Sequence, residues 1–343
     1  MEVLEKQLNI TSSLDKGAIG ILHLKRYWSR CMAIRQGKLQ QGTYQDEWIK
    51  DRTLLHTLGL GLEQTIKHLY QAAPGFEEFE QWILELNNGH IPREKIDMYN
   101  AAFLNPETHT IQTNTELVLQ PEDLEFWNEN GYVIIRNAIP EEDCKATVYL
   151  ICDFLEIKLD DPSTWYDAHP AKQGIMIQLF QHPQLQKNRD SKKIRLAYEQ
   201  LWQRNDLWVT TDRVSFNPPE TASYRFQGPR LHWDVSLELP IPFGTQGLLY
   251  LTDTAENQGA FTLIPGFQNT IEHWIYQLAP GANPRTQDLY QLGPKPIAAN
   301  AGDFILWHQA LPHGSSPNTS KLPRIVQYIN YAPIDEKEHK EWK

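Results

Sequence analysis

From residue 173 onward the sequence breaks into short β-branched and aromatic runs: IMIQLF, WVTTDRVSF, LHWDVSLEL, GLLYLTD, AFTLIPG, DFILWH and RIVQYINYA. Proline and glycine separate them at short spacing, and neither residue sits well inside a sheet ladder. Runs this short and this numerous predict a sandwich or barrel, and a jelly roll is the natural size. A helical pattern, NTIEHWIYQLA, interrupts two of them. The run LHWDVSLEL is divided by parity. Leu231, Trp233, Val235 and Leu237 share one face of a period-two pattern, and His232, Asp234, Ser236 and Glu238 share the other. The pattern predicts a strand with one apolar face and one titratable face.

The chain before these runs has a different character. LKRYWSRCMAIRQG has helical spacing and a glycine stop, and DRTLLHTLGLGLEQTIKHLYQAAPG reads as a helix opened by an Asp cap and closed at Pro-Gly. GFEEFEQWILELNNG and PREKIDMYNAAFLN read as two more helices, the second opened by proline. Near residue 115 the pattern changes. QPEDLEFWNENGYVIIRNAIPEEDC reads as helix, Asn-Gly turn, strand and a proline-led helix over roughly residues 141 to 155, the last long helix expected before the strands. The expected organisation is α+β: a helical N-terminal extension over residues 1–115 and a domain with a jelly-roll core and flanking helices over residues 116–343. Trp28, Trp48, Tyr70, Phe76, Phe79 and Trp82 give the extension apolar faces too large to leave in water. Covering the domain or forming a homodimer would satisfy them. The join, NPETHTIQTNTELVLQ, is short and polar rather than a Gly/Ser linker.

Composition removes several partner classes. The 343 residues carry a formal net charge of −11 with no Lys/Arg block, which argues against nucleic acid and anionic membranes. No apolar stretch reaches bilayer length, and the first residues show no signal-peptide pattern, so a cytoplasmic protein is expected. Cys31, Cys144 and Cys152 have no metal-like spacing and read as reduced, buried thiols.

The titratable face supplies chemistry. An imidazole and a carboxylate presented together suit a divalent metal, Fe(II) among them. A third ligand must come from elsewhere, and two histidines in GDFILWHQALPHGSSPN compete for the place: His308, which continues its strand, and His313, in the turn after it. Arg324 opens the next apolar run, and a lone arginine on an inward face calls for an anion.

In order along the chain, His232-x-Asp234, His313-x-Ser315 and Arg324 resemble the motif set of the phytanoyl-CoA dioxygenase family of Fe(II)/2-oxoglutarate oxygenases. FWNENGYVIIRNAIP and NQGAFTLIPGFQ resemble that family's opening and its Gly-rich strand, so the resemblance covers about residues 120 to 333. It implies a double-stranded β-helix, with iron on His232, Asp234 and His313. It further implies that Arg324 pairs with the distal carboxylate of 2-oxoglutarate and that Ser315 supports it. Gln178 is a further candidate for holding 2-oxoglutarate, and Arg213, Asn217 and Tyr328 are candidates for substrate contact. O2 would be the remaining cosubstrate.

The carboxylate of Asp234 matters, because halogenating relatives have Ala or Gly there. Its presence points to hydroxylation, demethylation or desaturation. With no basic patch for CoA phosphates, the expected substrate is a small polar metabolite of a biosynthetic pathway. A CoA- or carrier-linked acyl substrate is the alternative. A cupin-like metal-binding jelly roll without oxidase activity is the alternative of another class, and it has no need of Arg324.

Overall fold

The computed structural model describes residues 8–105, 116–339 and 341–343, and it combines helices with antiparallel sheets. The expected join over residues 105–120 lies mostly outside the described residues. By its contacts the chain divides into two compact units. One comprises residues 1–111, 206–211 and 332–336, and the other residues 112–205, 212–331 and 337–343.

The first unit contains the helices Leu24–Arg35, Trp48–Thr57, Leu62–Ala72, Phe76–Leu86 and Arg93–Leu104. The single helix expected over DRTLLHTLGLGLEQTIKHLYQAAPG is two. Gly59 takes φ +66°, where L side chains are strained, and Gly61 then caps the second helix. Leu54, Leu55, Leu58, Leu60, Leu69, Phe79, Ile83 and Tyr99 form a fully buried core, which Ile334 completes and Trp208 packs against. A charge network is buried beside it: Arg26 grips Glu47, Arg30 pairs with Glu47 and Asp51, and His23 binds Asp51 at 2.9 Å.

In the second unit, helix Pro121–Asn130 leads through the αL Gly131 into strand Tyr132–Ile135, and helix Glu141–Phe154 follows, as the sequence indicates. A seven-stranded antiparallel sheet has the spatial order Tyr132–Ile135, Phe304–His308, Thr245–Tyr250, Arg324–Tyr328, Val214–Asn217, Met176–Ile177, Lys172–Gln173. A three-stranded sheet has the order His313–Ser315, Phe261–Leu263, Lys295–Pro296. Leu248, Tyr250, Ile305, Trp307 and Val326 of the larger sheet share one core with Phe261 and Leu263 of the smaller, so the two sheets bury facing sides.

Three expectations are corrected. LHWDVSLEL is not a strand: only His232 makes a bridge, to His313. Beyond it the backbone is held by other partners. The carbonyls of Trp233 and Val235 accept from Arg285, and the Leu237 N–H donates to the Lys343 carbonyl. The helix after residue 141 is not the last long one before the strands. Pro183–Arg189, capped by His182, and Lys192–Trp202, capped by Ser191, follow it. The second buries Ile194, Ala197 and Tyr198, which are at helical spacing in KKIRLAYEQLW. Finally, WVTTDRVSF is two strands, Leu207–Val209 and Val214–Asn217. The first pairs with Tyr331–Pro333 in a separate two-stranded sheet.

Candidate active site

Strand His313–Ser315 sets the geometry. Its pairing with Phe261–Leu263 buries His313, and the paired backbone hydrogen bonds between His313 and His232 bring a distant loop alongside. Gly314 permits the approach, since a Cβ there would lie 2.6 Å from the Arg230 carbonyl oxygen. Two residues past His232, Asp234 turns back between the imidazoles. Its Oδ1 lies 3.3 Å from His232 Nε2 and its Oδ2 lies 3.2 Å from His313 Nε2. One ligand atom from each of the three residues falls within 4.8 Å of the others, as a shared cation requires.

The far side of each imidazole is also specified. His232 Nδ1 is 2.6 Å from the Arg230 carbonyl and His313 Nδ1 is 3.1 Å from the Leu311 carbonyl. A carbonyl only accepts, so both Nδ1 atoms carry hydrogen; each Nε2 faces Asp234, to which it donates when protonated, and on losing that proton it would offer its lone pair to a metal. Burial by itself would raise the Asp234 pKa. Hydrogen bonds from His232 and His313 outweigh that and hold it far below the carboxylate range. Burial would lower the His232 pKa, and the Asp234 carboxylate raises it on balance.

One strand position beyond His313 on the same face, the Ser315 hydroxyl accepts from Arg324 Nη1 at 3.1 Å. Ser215 accepts from Nη2 at 3.1 Å. Arg324 is fully buried and has no carboxylate partner among the described residues. Its Nε–H and the Asn217 side-chain oxygen, both buried, have no hydrogen-bond partner. Asn217 is the residue directly opposite Arg324 in the sheet. A buried cation surrounded by neutral hydroxyls, with a donor to spare, is a site built for an anion.

Other sequence candidates fall at different distances from this centre. Tyr328 feels the charges of Arg324, Asp212, Arg213 and Asp234, although burial is the main cause of its raised pKa. Arg213 is half-buried, with its Nε 3.7 Å from Asp212. Gln178 follows strand Met176–Ile177, and its N–H donates to the Ala171 carbonyl. His308, the competing third ligand, is outside the cluster. Its ring lies against Trp127 and Phe243, and burial pushes its pKa down to about 4.

Two contacts escaped the sequence. Gln246 Nε2 donates to Asp234 Oδ2 at 2.8 Å, and Arg285 bonds the carbonyls on either side of Asp234. Neither residue lies in a recognisable motif; only the fold brings them there.

Two other features are unlike a catalytic centre. His23, Glu47 and Asp51 also have metal-like proximity, but Arg26 and Arg30 already supply their counter-charge. A cavity of about 930 Å³ is lined by Ile139, Cys144, Leu251 and Pro323. Its polar groups are paired: Lys145 with Glu141, and Gln258 with the carbonyls of Asp253 and Pro323.

The family model described as phytanoyl-CoA dioxygenase matches residues 127–326. A phytanoyl-CoA dioxygenase homologue of Dictyostelium discoideum is 26% identical over 260 residues, covering 61% of this chain and 74% of that one. The peroxisomal phytanoyl-CoA dioxygenase of Rattus norvegicus is 23% identical over 249 residues, covering 66% and 71%. Among solved structures, the α-ketoglutarate-dependent carbocyclase SnoK from nogalamycin biosynthesis is 18% identical with a TM-score of 0.45, covering 67% of this chain and 97% of that one. HygX of Streptomyces hygroscopicus, solved with nickel and 2-oxoglutarate, is 15% identical with a TM-score of 0.43, covering 65% and 90%. With the family model matched over more than half of its length, the chain belongs to the phytanoyl-CoA dioxygenase family of non-haem iron, 2-oxoglutarate-dependent oxygenases.

Proposed function

We propose that the second unit oxidises a C–H bond of a small polar metabolite, by hydroxylation or by the related demethylation or desaturation. In this reading its two sheets form the double-stranded β-helix of the family. His232, Asp234 and His313 hold Fe(II), Arg324 and Ser315 hold the distal carboxylate of 2-oxoglutarate, and Ser215 joins them. The observation that carries the reading is the buried Arg324, without a carboxylate partner among the described residues, hydrogen-bonded to Ser315, the next residue along the same strand face from His313. Alternate residues on a strand are about 7 Å apart, a span that a five-carbon dicarboxylate can bridge.

The donor set fits the ion: two neutral imidazoles and one carboxylate leave positions free for a cosubstrate. Iron bound there, with 2-oxoglutarate and O2, supplies the oxidising power for the C–H bond as 2-oxoglutarate is split to succinate and CO2. The chain's own residues bind and aim. The Arg230 and Leu311 carbonyls fix the two imidazole tautomers, and Arg324 orients the dicarboxylate by its far end. Tyr328, Arg213 and Asn217 are the proposed substrate-side contacts, and Gln178 is a further contact to 2-oxoglutarate.

The net charge of −11 and the lack of a Lys/Arg block in the sequence favour a free metabolite over an acyl-CoA. No helix among the described residues is long and apolar enough to cross a membrane. The test is aerobic incubation with Fe(II), 2-oxoglutarate and either a metabolite extract or a set of acyl-CoAs. Succinate release coupled to a mass gain of one oxygen in a free metabolite supports the reading. Coupled turnover of acyl-CoAs alone would reassign the substrate. Absence of any 2-oxoglutarate decarboxylation would favour the non-oxidising jelly roll.

A further inference from the structure

Asp234 is the loosest member of the cluster. His313 sits in a strand and His232 is bridged to it, but Asp234 lies in a loop without a strand ladder and about half of its side chain (49%) is exposed. A carboxylate in that setting has many rotamers to lose, so something must aim it.

We infer that Gln246 is the positioning residue for Asp234, and that Trp307 fixes the direction in which Gln246 acts. The inference rests on the ligand set proposed above. Gln246 Nε2 donates to Asp234 Oδ2 at 2.8 Å, and Gln246 Oε1 accepts from Trp307 Nε1 at 3.1 Å. Gln246 and Trp307 are directly opposed on the strands Thr245–Tyr250 and Phe304–His308, so their side chains share a face. An indole N–H only donates and an ionised carboxylate only accepts. A single amide orientation satisfies both, with oxygen to Trp307 and nitrogen to Asp234. Flipping the amide would set N–H against N–H and oxygen against carboxylate. The relay therefore engages Oδ2, which also faces His313 Nε2, and holds the carboxylate with Oδ1 turned to His232 Nε2. Trp307 is itself anchored in the core, where it packs on Phe261 and His313. The sheet's register is thus transmitted to a loop outside the sheet.

The test is Mn(II) binding, followed by loss of the free-ion EPR signal, on the full chain. It compares wild type, Gln246→Met, Trp307→Phe, Asp234→Ala and the Gln246→Met/Asp234→Ala double variant. Thermal melting without metal controls for folding. Methionine keeps the length of glutamine and removes both hydrogen bonds. Phenylalanine keeps a six-membered ring in the core and removes the indole N–H together with the fused five-membered ring.

Gln246→Met is expected to weaken Mn(II) binding about 10- to 100-fold, the range for loss of an outer partner of a metal ligand. Trp307→Phe should act in the same direction and less strongly. Asp234→Ala should cost more than either, and in that background Gln246→Met should add nothing. Wild-type affinity in Gln246→Met would overturn the inference. So would an undiminished further loss in the double variant, because the glutamine would then act through the fold. If Gln246→Met does not fold, Trp307→Phe decides: weakened binding supports the relay and unchanged binding overturns it. Asp234→Ala that binds Mn(II) like wild type would remove the ligand set itself, and the inference with it.

Discussion

Arg324 and Asp234 separate the two halves of the proposed cofactor site at the scale of single residues. Arg324 makes its side-chain hydrogen bonds to Ser315 and Ser215, and neither imidazole is among its partners. Arg324→Ala is therefore expected to leave Mn(II) affinity within a few-fold of wild type. Breaking a buried guanidinium–carboxylate pair from one side costs about 3–5 kcal/mol, so 2-oxoglutarate should bind more than a hundredfold more weakly. Arg324→Lys should recover only part of that, because an ammonium replaces the charge and not the fork. Titration of Mn(II)-loaded protein with 2-oxoglutarate checks both. Unchanged affinity in Arg324→Ala would place the anchor elsewhere, with Arg213 next in line. The order His-x-Asp, His-x-Ser, Arg made these residues legible before any fold was known. Gln246 was not legible. Its relevance exists only once its strand lies opposite Trp307, and nothing local to TQGLLY reports that pairing.

At the scale of elements, the segment after His232 carries the largest difference between pattern and structure. Alternation in LHWDVSLEL holds only in part as burial: Trp233 and Leu237 are in the core, with Trp233 beside Trp274 of helix Ile271–Gln277, but Ser236 of the other parity is buried too and Leu231 and Val235 are only partly so. No ladder holds the segment, and a clamp replaces it. Arg285 donates to the carbonyls of Trp233, Val235 and Lys343, and its guanidinium lies 4.5 Å from the centre of the Trp342 ring. The Ser236 hydroxyl donates to the Glu341 carbonyl, and the Leu237 N–H donates to that of Lys343. Removing a charged donor from such a set costs about 1.5–3 kcal/mol per bond before the loop relaxes. Arg285→Ala should accordingly open this loop by local unfolding, with amide exchange at Leu237 about tenfold faster or more and global melting little changed. Metal affinity should fall with it, because the carbonyls that Arg285 holds flank Asp234. Exchange at Leu237 that matches wild type would show that the loop is held by its apolar side chains alone.

At the scale of the whole molecule, the helical unit is not a simple prefix. Its core of Leu54, Leu58, Phe79 and Tyr99 is completed by Ile334 and packed by Trp208, residues encoded far downstream. The chain enters that unit three times. From sequence, WVTTD and the stretch around residue 334 read as parts of the strand-rich half, because a short strand says nothing about which partner it will find. We propose, as the sequence led us to expect, that the helices serve the oxygenase fold and are not an independent module. A fragment beginning at residue 111 would keep residues 206–211 and 332–336 without the helices they pack among. Trp208 would lose the ring of Tyr99, 6.1 Å away, and Glu336 would lose its ion pair with Arg52. Exposing large apolar side chains of this kind costs roughly 1.5–3 kcal/mol each, a large share of the 5–15 kcal/mol that holds a typical domain. The fragment is expected to be insoluble, or to melt well below the full chain with loss of turnover. Solubility, melting temperature and 2-oxoglutarate decarboxylation measured on fragment and full chain side by side check this. A soluble fragment with undiminished turnover and unchanged melting would show that the returning segments draw no stability from the helices.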